Sequence, residues 1–168
     1  MGIVIRNGEV VTASERFVAD LRLDGGTITA MGTKLEPGAG DETIDAAGQF
    51  VLPGFIDPHV HMELGFMGTV SADDFEVGTA SGAAGGTTCI IDFCIPAPGE
   101  SMLAALDSWR RKAAKAVCDY SFHMAITSWG DDSANEMRAV VQEHGITSFK
   151  VFMAYKGAIM VDDAALYS

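Results

Sequence analysis

Strand-like and helix-like runs alternate through residues 53–168, and this alternation limits the possible folds more than any other feature of the sequence. The repeat is about thirty residues long, which is typical of strand–helix–strand units. The predicted strands are one that ends at His61 and those at 87–93, 120–126 and 146–154, and the predicted helices cover 72–84, 101–117 and 133–144. Because crossovers between parallel strands are nearly always right-handed, the pattern predicts an α/β fold with a parallel sheet.

Such a sheet either stays open, as in doubly wound folds, or closes into a (β/α) barrel. An open sheet that binds nucleotides carries a glycine-rich turn after its first strand. Here the corresponding position holds His59-Val60-His61. We therefore favour the barrel, in which functional side chains lie at the carboxyl ends of the strands.

Two of the predicted helices have recognisable starts. Ser71 is a suitable N-cap for the helix at 72–84, with Asp73 and Asp74 in the first turn, where the helix dipole favours anions. Ser133 and Glu136 have the spacing of a capping box, which predicts that both side chains close the start of the third helix.

Residues 1–52 are predicted to form a separate β segment, and residues 53–168 the strand–helix part. Asn7-Gly8 predicts a hairpin turn, because both residue types tolerate positive φ. Further strands are predicted at 17–23, 27–31, 42–46 and 49–52.

The paired histidines predict a metal site. In a strand, residues two apart point to the same face, so His59 and His61 direct both imidazoles to one point. Neutral imidazole is the commonest metal ligand in proteins. A His-x-His sequence alone more often marks ordinary surface or core histidines, but its place at the end of an apolar strand favours the metal.

Lys150 lies in the middle of the apolar strand predicted at 146–154. The ordinary interpretation is a lysine whose stem lies along apolar neighbours and whose amine reaches water. The functional interpretation is that burial disfavours the ammonium form, so that the neutral amine can add carbon dioxide. The resulting carbamate has two oxygens and can bridge two divalent cations.

The net charge of −12 argues against two classes of partner. The eleven Lys and Arg residues form no cluster, whereas a nucleic-acid surface or a basic membrane-binding helix needs concentrated positive charge. The three cysteines lie near apolar residues and include no Cys-x-x-Cys, which favours reduced thiols in a cytoplasmic protein. The sequence shows no signal-peptide pattern and no apolar run long enough for a transmembrane helix.

The residues Gly54-Phe55-Ile56-Asp57-Pro58-His59-Val60-His61 and Phe149-Lys150-Val151-Phe152-Met153-Ala154-Tyr155-Lys156-Gly157 resemble the cyclic-amidohydrolase branch of the amidohydrolase superfamily, in particular the dihydropyrimidinases or D-hydantoinases. The resemblance extends over essentially the whole chain. Either motif alone would be only suggestive, but the two together are highly specific.

This resemblance implies a metal-dependent (β/α)₈ barrel, of which the chain covers about the first half, and a small β-sandwich to which residues 1–52 contribute. It implies that His59 and His61 bind the more buried of two divalent ions, usually zinc, and that carbamylated Lys150 bridges both ions. It also implies that the Tyr155 hydroxyl stabilises the oxyanion.

The implied reaction belongs to pyrimidine catabolism. A hydroxide bridging the two metals opens the cyclic amide bond of dihydropyrimidines or 5-substituted hydantoins, giving N-carbamoyl amino acids. A homotetramer is the implied assembly. The remaining metal ligands and the catalytic aspartate of the family lie beyond Ser168, so we expect this chain to be part of a longer enzyme and inactive by itself.

Three alternatives stay open. The same site could serve another cyclic amidase such as allantoinase, the protein could be a non-catalytic scaffold of the same family, or the chain could be an inactive fragment.

Other residues carry weaker signals. Five apolar side chains near the two motifs could line a pocket for a hydantoin substituent, or could be ordinary core: Leu64, Phe66, Met67, Phe152 and Met153. Asp57 is interpreted as a supporting carboxylate, Asp92 as a weak site candidate at a strand end, and His123 as a hydrogen-bonded core histidine.

Overall fold

The computed structural model describes residues 2–168 and divides into two compact units, one that ends at Pro53 and one that spans Gly54–Ser168. The first unit is entirely β-structure. Its strands are β1 (Ile3–Val11), β2 (Arg16–Asp24), β3 (Thr27–Gly32), β4 (Glu42–Asp45) and β5 (Phe50–Val51). They form one sheet in the order β3-β2-β1-β4, and β5 also pairs with β1. Val10, Ala19 and Leu21 form its buried core.

The hairpin predicted at Asn7-Gly8 is wrong, because β1 runs straight through it. Asn7 does adopt a positive φ of 60°, but the result is a bulge, seen as a register shift between Ile5 and Gly8 against β2. The bulged residue is held by two hydrogen bonds: its N–H donates to Asp20 Oδ1 at 2.8 Å, and its Nδ2 donates to Asp45 Oδ1 at 2.9 Å. A bulge and a tight turn need the same backbone conformation, so the dipeptide alone does not distinguish them.

The second unit has the predicted alternation of strands and helices. Its elements are β6 (Phe55–Val60), β7 (Gly65–Phe66), β8 (Thr69–Val70), α1 (Phe75–Ala84), β9 (Thr87–Cys94), α2 (Met102–Ala113), β10 (Asp119–Ile126), α3 (Ser133–Gln142), β11 (Phe149–Val151) and α4 (Asp163–Leu166). Four strands form a parallel sheet in the order β11-β10-β9-β6, curled like part of a barrel, while β7 and β8 form a small antiparallel hairpin. The predicted α/β class with a parallel sheet is confirmed.

The two faces of this sheet have different surroundings. Ile90, Cys94, Phe122 and Met124 point toward the helices and pack in the main core with α2 residues such as Leu106. Their sequence neighbours point to the other face, as the two-residue period of a strand requires. Every side chain of the predicted metal site lies on this second face.

The helix starts differ from the prediction. Helix α1 begins at Phe75 with Asp74 as its N-cap, whose carboxylate accepts from Val77 N at 2.8 Å. Ser71 does not cap it, because its hydroxyl accepts instead from Leu64 N at 2.9 Å and so closes the β7–β8 hairpin.

The capping box predicted at Ser133 and Glu136 is also wrong. The Glu136 carboxylate accepts from the Ser101 hydroxyl and, at 2.8 Å, from Met102 N. It therefore closes the start of α2, a different helix. The spacing in sequence was suitable for a local cap, but packing of α3 beside α2 offers Glu136 a partly buried partner instead.

Among the elements that are shorter than predicted, α2 and β11 differ most. Helix α2 ends at Ala113, and β11 covers only Phe149–Val151. β11 pairs on one side alone, with β10, so few hydrogen bonds extend it. Within the described part of the chain, no helix has the length and apolar character that a membrane crossing requires.

Candidate active site

The paired histidines lie at the carboxyl end of β6. Their ring centroids are 5.3 Å apart with the planes at 84°, and both side chains are exposed on the face away from the helices. The register of β6 against β9 shifts between Asp57 and Val60, so the backbone is irregular just before the pair. The Asp57 carboxylate accepts from His59 N at 3.1 Å and supports this irregular segment, consistent with a supporting role.

Phe93 on the neighbouring strand β9 lies between the histidines and the rest of the site. Its ring centroid is 4.6 Å from that of His59, 5.0 Å from that of His61 and 4.8 Å from that of His123. The Phe93 side chain is only 5% exposed. One buried ring on the central part of the sheet thus contacts three imidazoles, an arrangement that the sequence pattern did not reveal.

The Lys150 amine is the fourth polar group close to the Phe93 ring. Lys150 lies on β11, and its Nζ is 5.6 Å from the Phe93 centroid and 5.4 Å from the Phe152 centroid. The side chain is half-buried. Three of the sequence-predicted residues, His59, His61 and Lys150, are therefore grouped on one face although 87 residues lie between the two motifs.

The surroundings of His61 favour its neutral imidazole. The pKa of His61 is lowered from its ordinary value, first by burial and then by the charges of His59 and Lys150. A neutral ring keeps a nitrogen lone pair free, which is the form that binds a metal.

His123 links the strands beneath the site. Its Nε2 donates to the carbonyl oxygen of Pro58 at 2.9 Å, and its Nδ1 pairs with the Ser148 hydroxyl. Both ring nitrogens are occupied, as expected of a core histidine. Since Pro58 directly precedes His59, the bond ties β10 to the segment that carries the histidine pair.

Tyr155 lies in the turn after β11 and is 49% exposed. Its φ of 65° is unusual for a residue other than glycine, and its carbonyl accepts from Ala158 N at 3.0 Å. Its ring packs edge-on against Phe66, with centroids 5.2 Å apart, and lies 6.1 Å from the ring of Phe152. This left-handed residue is therefore held by both its backbone and its ring.

A cavity of about 210 Å³ connects this turn with the histidine pair. It is lined by His61, Leu64, Phe66, Ile95, Phe152, Tyr155 and Ile159. Of the five apolar residues proposed from sequence, Leu64, Phe66 and Phe152 line the cavity, whereas Met67 and Met153 are exposed side chains outside it. Ile95 and Ile159 were missed because both lie outside the two motifs and are apolar residues of the kind that fill any core.

Asp92 does not reach the site, because it lies on the helix face of β9. It is 1% exposed, its Oδ1 accepts from Phe93 N at 2.7 Å, and no group within residues 2–168 meets hydrogen-bond geometry at its Oδ2. Burial raises its pKa to about 7, with the Phe93 and Met62 amides and the Lys112 charge opposing that rise. Burial likewise raises the pKa of Cys94, two residues on, to about 12.

Two lysines contact the segment just after the histidine pair, Lys112 on α2 and Lys115 just beyond the end of that helix. Lys112 Nζ donates to the Glu63 carbonyl oxygen at 3.2 Å, and Lys115 Nζ donates to Glu63 Oε1 at 3.0 Å. Glu63 has a positive φ of 48°. These contacts fix where the chain leaves the histidines.

The donor set suits part of a metal centre. Two imidazoles lie at contact distance, and the Lys150 amine lies across the same buried ring. Among residues 2–168, no three or more His, Cys, Asp or Glu side chains are grouped closely enough to hold a metal by themselves. With a carbamate at Lys150, the same residues provide nitrogen and oxygen ligands, which borderline cations such as zinc accept.

The chain is similar along nearly its whole length to known enzymes, although no family model matches it. It is 50% identical over 165 residues to the D-hydantoinase of Geobacillus stearothermophilus, covering 98% of this chain and 35% of that protein. It is 46% identical over 171 residues to the dihydropyrimidinase of Rattus norvegicus, covering 99% of this chain and 33% of that protein.

The solved structures agree with the sequence comparison. The crystal structure of dihydropyrimidinase from Brevibacillus agri superposes with a TM-score of 0.94 at 48% identity, covering 99% of this chain and 36% of that one. The chain therefore spans about a third of the length of the relatives that it matches. The resemblance seen in the two motifs is confirmed: over nearly its whole length the chain is similar to dihydropyrimidinases and D-hydantoinases.

Proposed function

We propose that the protein to which this chain belongs is a metal-dependent cyclic amidohydrolase. It opens the cyclic amide bond of dihydropyrimidines or 5-substituted hydantoins and gives N-carbamoyl amino acids. The observation that carries the proposal is the grouping of His59, His61 and the Lys150 amine around the buried Phe93 ring. The names of the similar proteins support the same reaction class.

The proposal includes a larger architecture. The curled parallel sheet is the first half of a (β/α)₈ barrel in this interpretation, and the β unit that ends at Pro53 contributes to a small sandwich. A homotetramer follows from the family resemblance alone. A cytoplasmic location is supported by the three unpaired thiols, Cys89, Cys94 and Cys118.

His59, His61 and Lys150 are the proposed holders of two divalent ions, with zinc as the expected metal. In the carbamylation step the Lys150 amine attacks carbon dioxide: a nitrogen–carbon bond forms, one carbon–oxygen π bond opens onto oxygen, and one amine proton passes to water, which leaves an anionic carbamate. Divalent ions bound here would lower the pKa of water, so that a nucleophile is available at neutral pH. The Lys150 side chain is half-buried, and its amine lies 5.6 Å from the centroid of the Phe93 ring, on the face of the sheet that carries both histidines.

Tyr155 is the proposed donor to the developing oxyanion. Negative charge grows on the ring carbonyl oxygen of the substrate as its carbonyl carbon becomes tetrahedral, and a hydroxyl already oriented toward that oxygen stabilises it. The left-handed backbone and the edge-on contact with Phe66 hold the Tyr155 ring before substrate arrives. Such preorganisation avoids an ordering cost during the reaction.

The cavity of about 210 Å³ is the proposed site for the substituent of a hydantoin ring. Its walls are mainly apolar, and it extends from His61 to Tyr155, which are the two ends of the proposed catalytic group. An apolar substituent would therefore be buried while the amide bond faces the polar residues.

The test uses the full-length protein carrying this chain. Dihydrouracil and 5-benzylhydantoin are the substrates, product formation is followed as N-carbamoyl amino acid, and bound metal is measured by mass spectrometry. Lys150→Ala is expected to lower turnover at least about a hundredfold and to reduce bound metal, because one bridging ligand is lost. Lys34→Asn is the control, since Lys34 is exposed at a φ of 61°, a conformation that asparagine tolerates.

Two results would contradict the proposal. A wild-type protein that binds no metal and turns over neither substrate would indicate a non-catalytic member of the family. Hydrolysis of allantoin in place of both test substrates would retain the chemistry but change the substrate assignment.

A further inference from the structure

Phe93 occupies a position that the proposed mechanism does not explain. It lies on β9, between the strands that carry the histidine pair and Lys150, and it is 5% exposed. Four polar groups surround its ring at centroid distances of 4.6–5.6 Å: the imidazoles of His59, His61 and His123, and the Lys150 amine. These polar groups belong to three other strands or strand ends.

The two metal-ligating histidines have little else to orient them. No side-chain hydrogen bond of either imidazole is present within residues 2–168, and both side chains are exposed. Metal-binding histidines in proteins are usually oriented through a hydrogen bond from the second ring nitrogen. Here the contact that both imidazoles share is the Phe93 ring.

We propose that Phe93 is a positioning residue, whose flat, buried ring sets the directions of the His59 and His61 imidazoles and of the Lys150 side chain. This inference rests on the proposed function, because it concerns the ligands of that metal site. Phe93 itself contacts no reacting atom. It acts by restricting the rotamers of the ligands, which lowers the ordering entropy lost when a metal binds.

A matched pair of substitutions separates this role from general core packing. Phe122 lies on the next strand, β10, is 4% exposed, and faces the helices. Phe93→Leu and Phe122→Leu therefore remove the same atoms from equally buried positions on opposite faces of one sheet. Both are expected to lower the stability of the apoprotein to a similar degree.

The first readout is metal affinity. Apoprotein of full length is titrated with zinc against a chelator of known affinity, and the carbamate at Lys150 is measured by ¹³C NMR with labelled bicarbonate. Phe93→Leu is expected to weaken zinc binding about ten- to a hundredfold and to lower carbamate occupancy, the range seen for groups that orient metal ligands. Phe122→Leu is expected to change zinc affinity less than about threefold.

The second readout needs no metal. In the wild-type apoprotein, the ring of Phe93 should shift the proton resonances of His59 and His61 upfield, and Phe93→Leu should return them to ordinary values. Equal zinc affinity in wild type and Phe93→Leu, or equal losses in both variants, would overturn the inference while leaving the proposed function intact. Failure of the wild type to bind zinc would overturn the proposed function, and this inference with it.

Discussion

Asp92 gives a prediction whose size can be worked out from its surroundings. The carboxyl is 1% exposed, and burial raises its pKa from an ordinary 3.8 to about 7. The unfolded chain releases this proton at a much lower pH than the folded chain does. The contribution of Asp92 to the free energy of unfolding should therefore be highest below about pH 4, fall as the pH rises to about 7, and level off above it.

The total effect is about 4 kcal/mol, since each tenfold change in proton affinity is worth about 1.4 kcal/mol. Between pH 5 and pH 8, about 2–3 kcal/mol of this should be observable. Asp92→Asn has no proton to release and should lack this part of the pH dependence. Its stability relative to wild type should thus rise by about 2–3 kcal/mol over the same pH range.

The assay is urea unfolding at several pH values, followed by tryptophan fluorescence. Trp109 is a suitable probe, because it lies in the same core beneath the sheet as Ile90 and Cys94. Asp107→Asn, an exposed position on α2, serves as the control for removing one carboxylate. The reasoning would be refuted if Asp92→Asn and Asp107→Asn both followed the wild-type pH curve in parallel.

Two further predictions concern packing and buried hydrogen bonds in the same unit. Gly54→Ala should destabilise the protein by about 1–3 kcal/mol, because an added Cβ would lie 2.0 Å from Thr88 Oγ1 and 2.7 Å from Thr88 Cβ. A Cβ added at Gly130 has no heavy atom within 4 Å, so Gly130→Ala should leave the free energy of unfolding nearly unchanged in the same urea titration. Equal losses of stability in Gly54→Ala and Gly130→Ala would argue against the clash with Thr88. Thr79→Val should lower the free energy of unfolding by about 1–3 kcal/mol. The buried Thr79 hydroxyl accepts a hydrogen bond from Val117 N at 3.0 Å, and a valine side chain has no atom that can accept it. Exposed Thr147→Val is its control, and an equal loss at both positions would contradict the hydrogen-bond argument.

The features that were predictable from sequence depend on local periodicity. Alternation within a strand was enough to place His59 and His61 on one face, and the strand–helix rhythm was enough to predict a parallel sheet. Both follow from the chain's own backbone geometry. The two motifs added the resemblance to dihydropyrimidinases and D-hydantoinases, which extends over 98% of this chain in the comparison with the Geobacillus stearothermophilus protein.

The features that were not predictable depend on which distant residue becomes a neighbour. Asn7 forms a bulge because Asp20 and Asp45 are present to hold it. Phe93 reads in the sequence as an ordinary core residue of an apolar strand, and only the sheet order places its ring between the histidines and Lys150. Ile95 and Ile159 line the cavity for the same reason.

The hydrogen bonds of the Glu136 carboxylate affect how α2 and α3 unfold locally. The carboxylate belongs to α3 yet binds the first amide of α2, so fraying at the start of α3 would also strip α2 of its terminal partner. Two segments joined in this way open as one cooperative unit rather than one after the other. Helices α2 and α3 are thus joined by a hydrogen bond at a helix end as well as by their apolar packing.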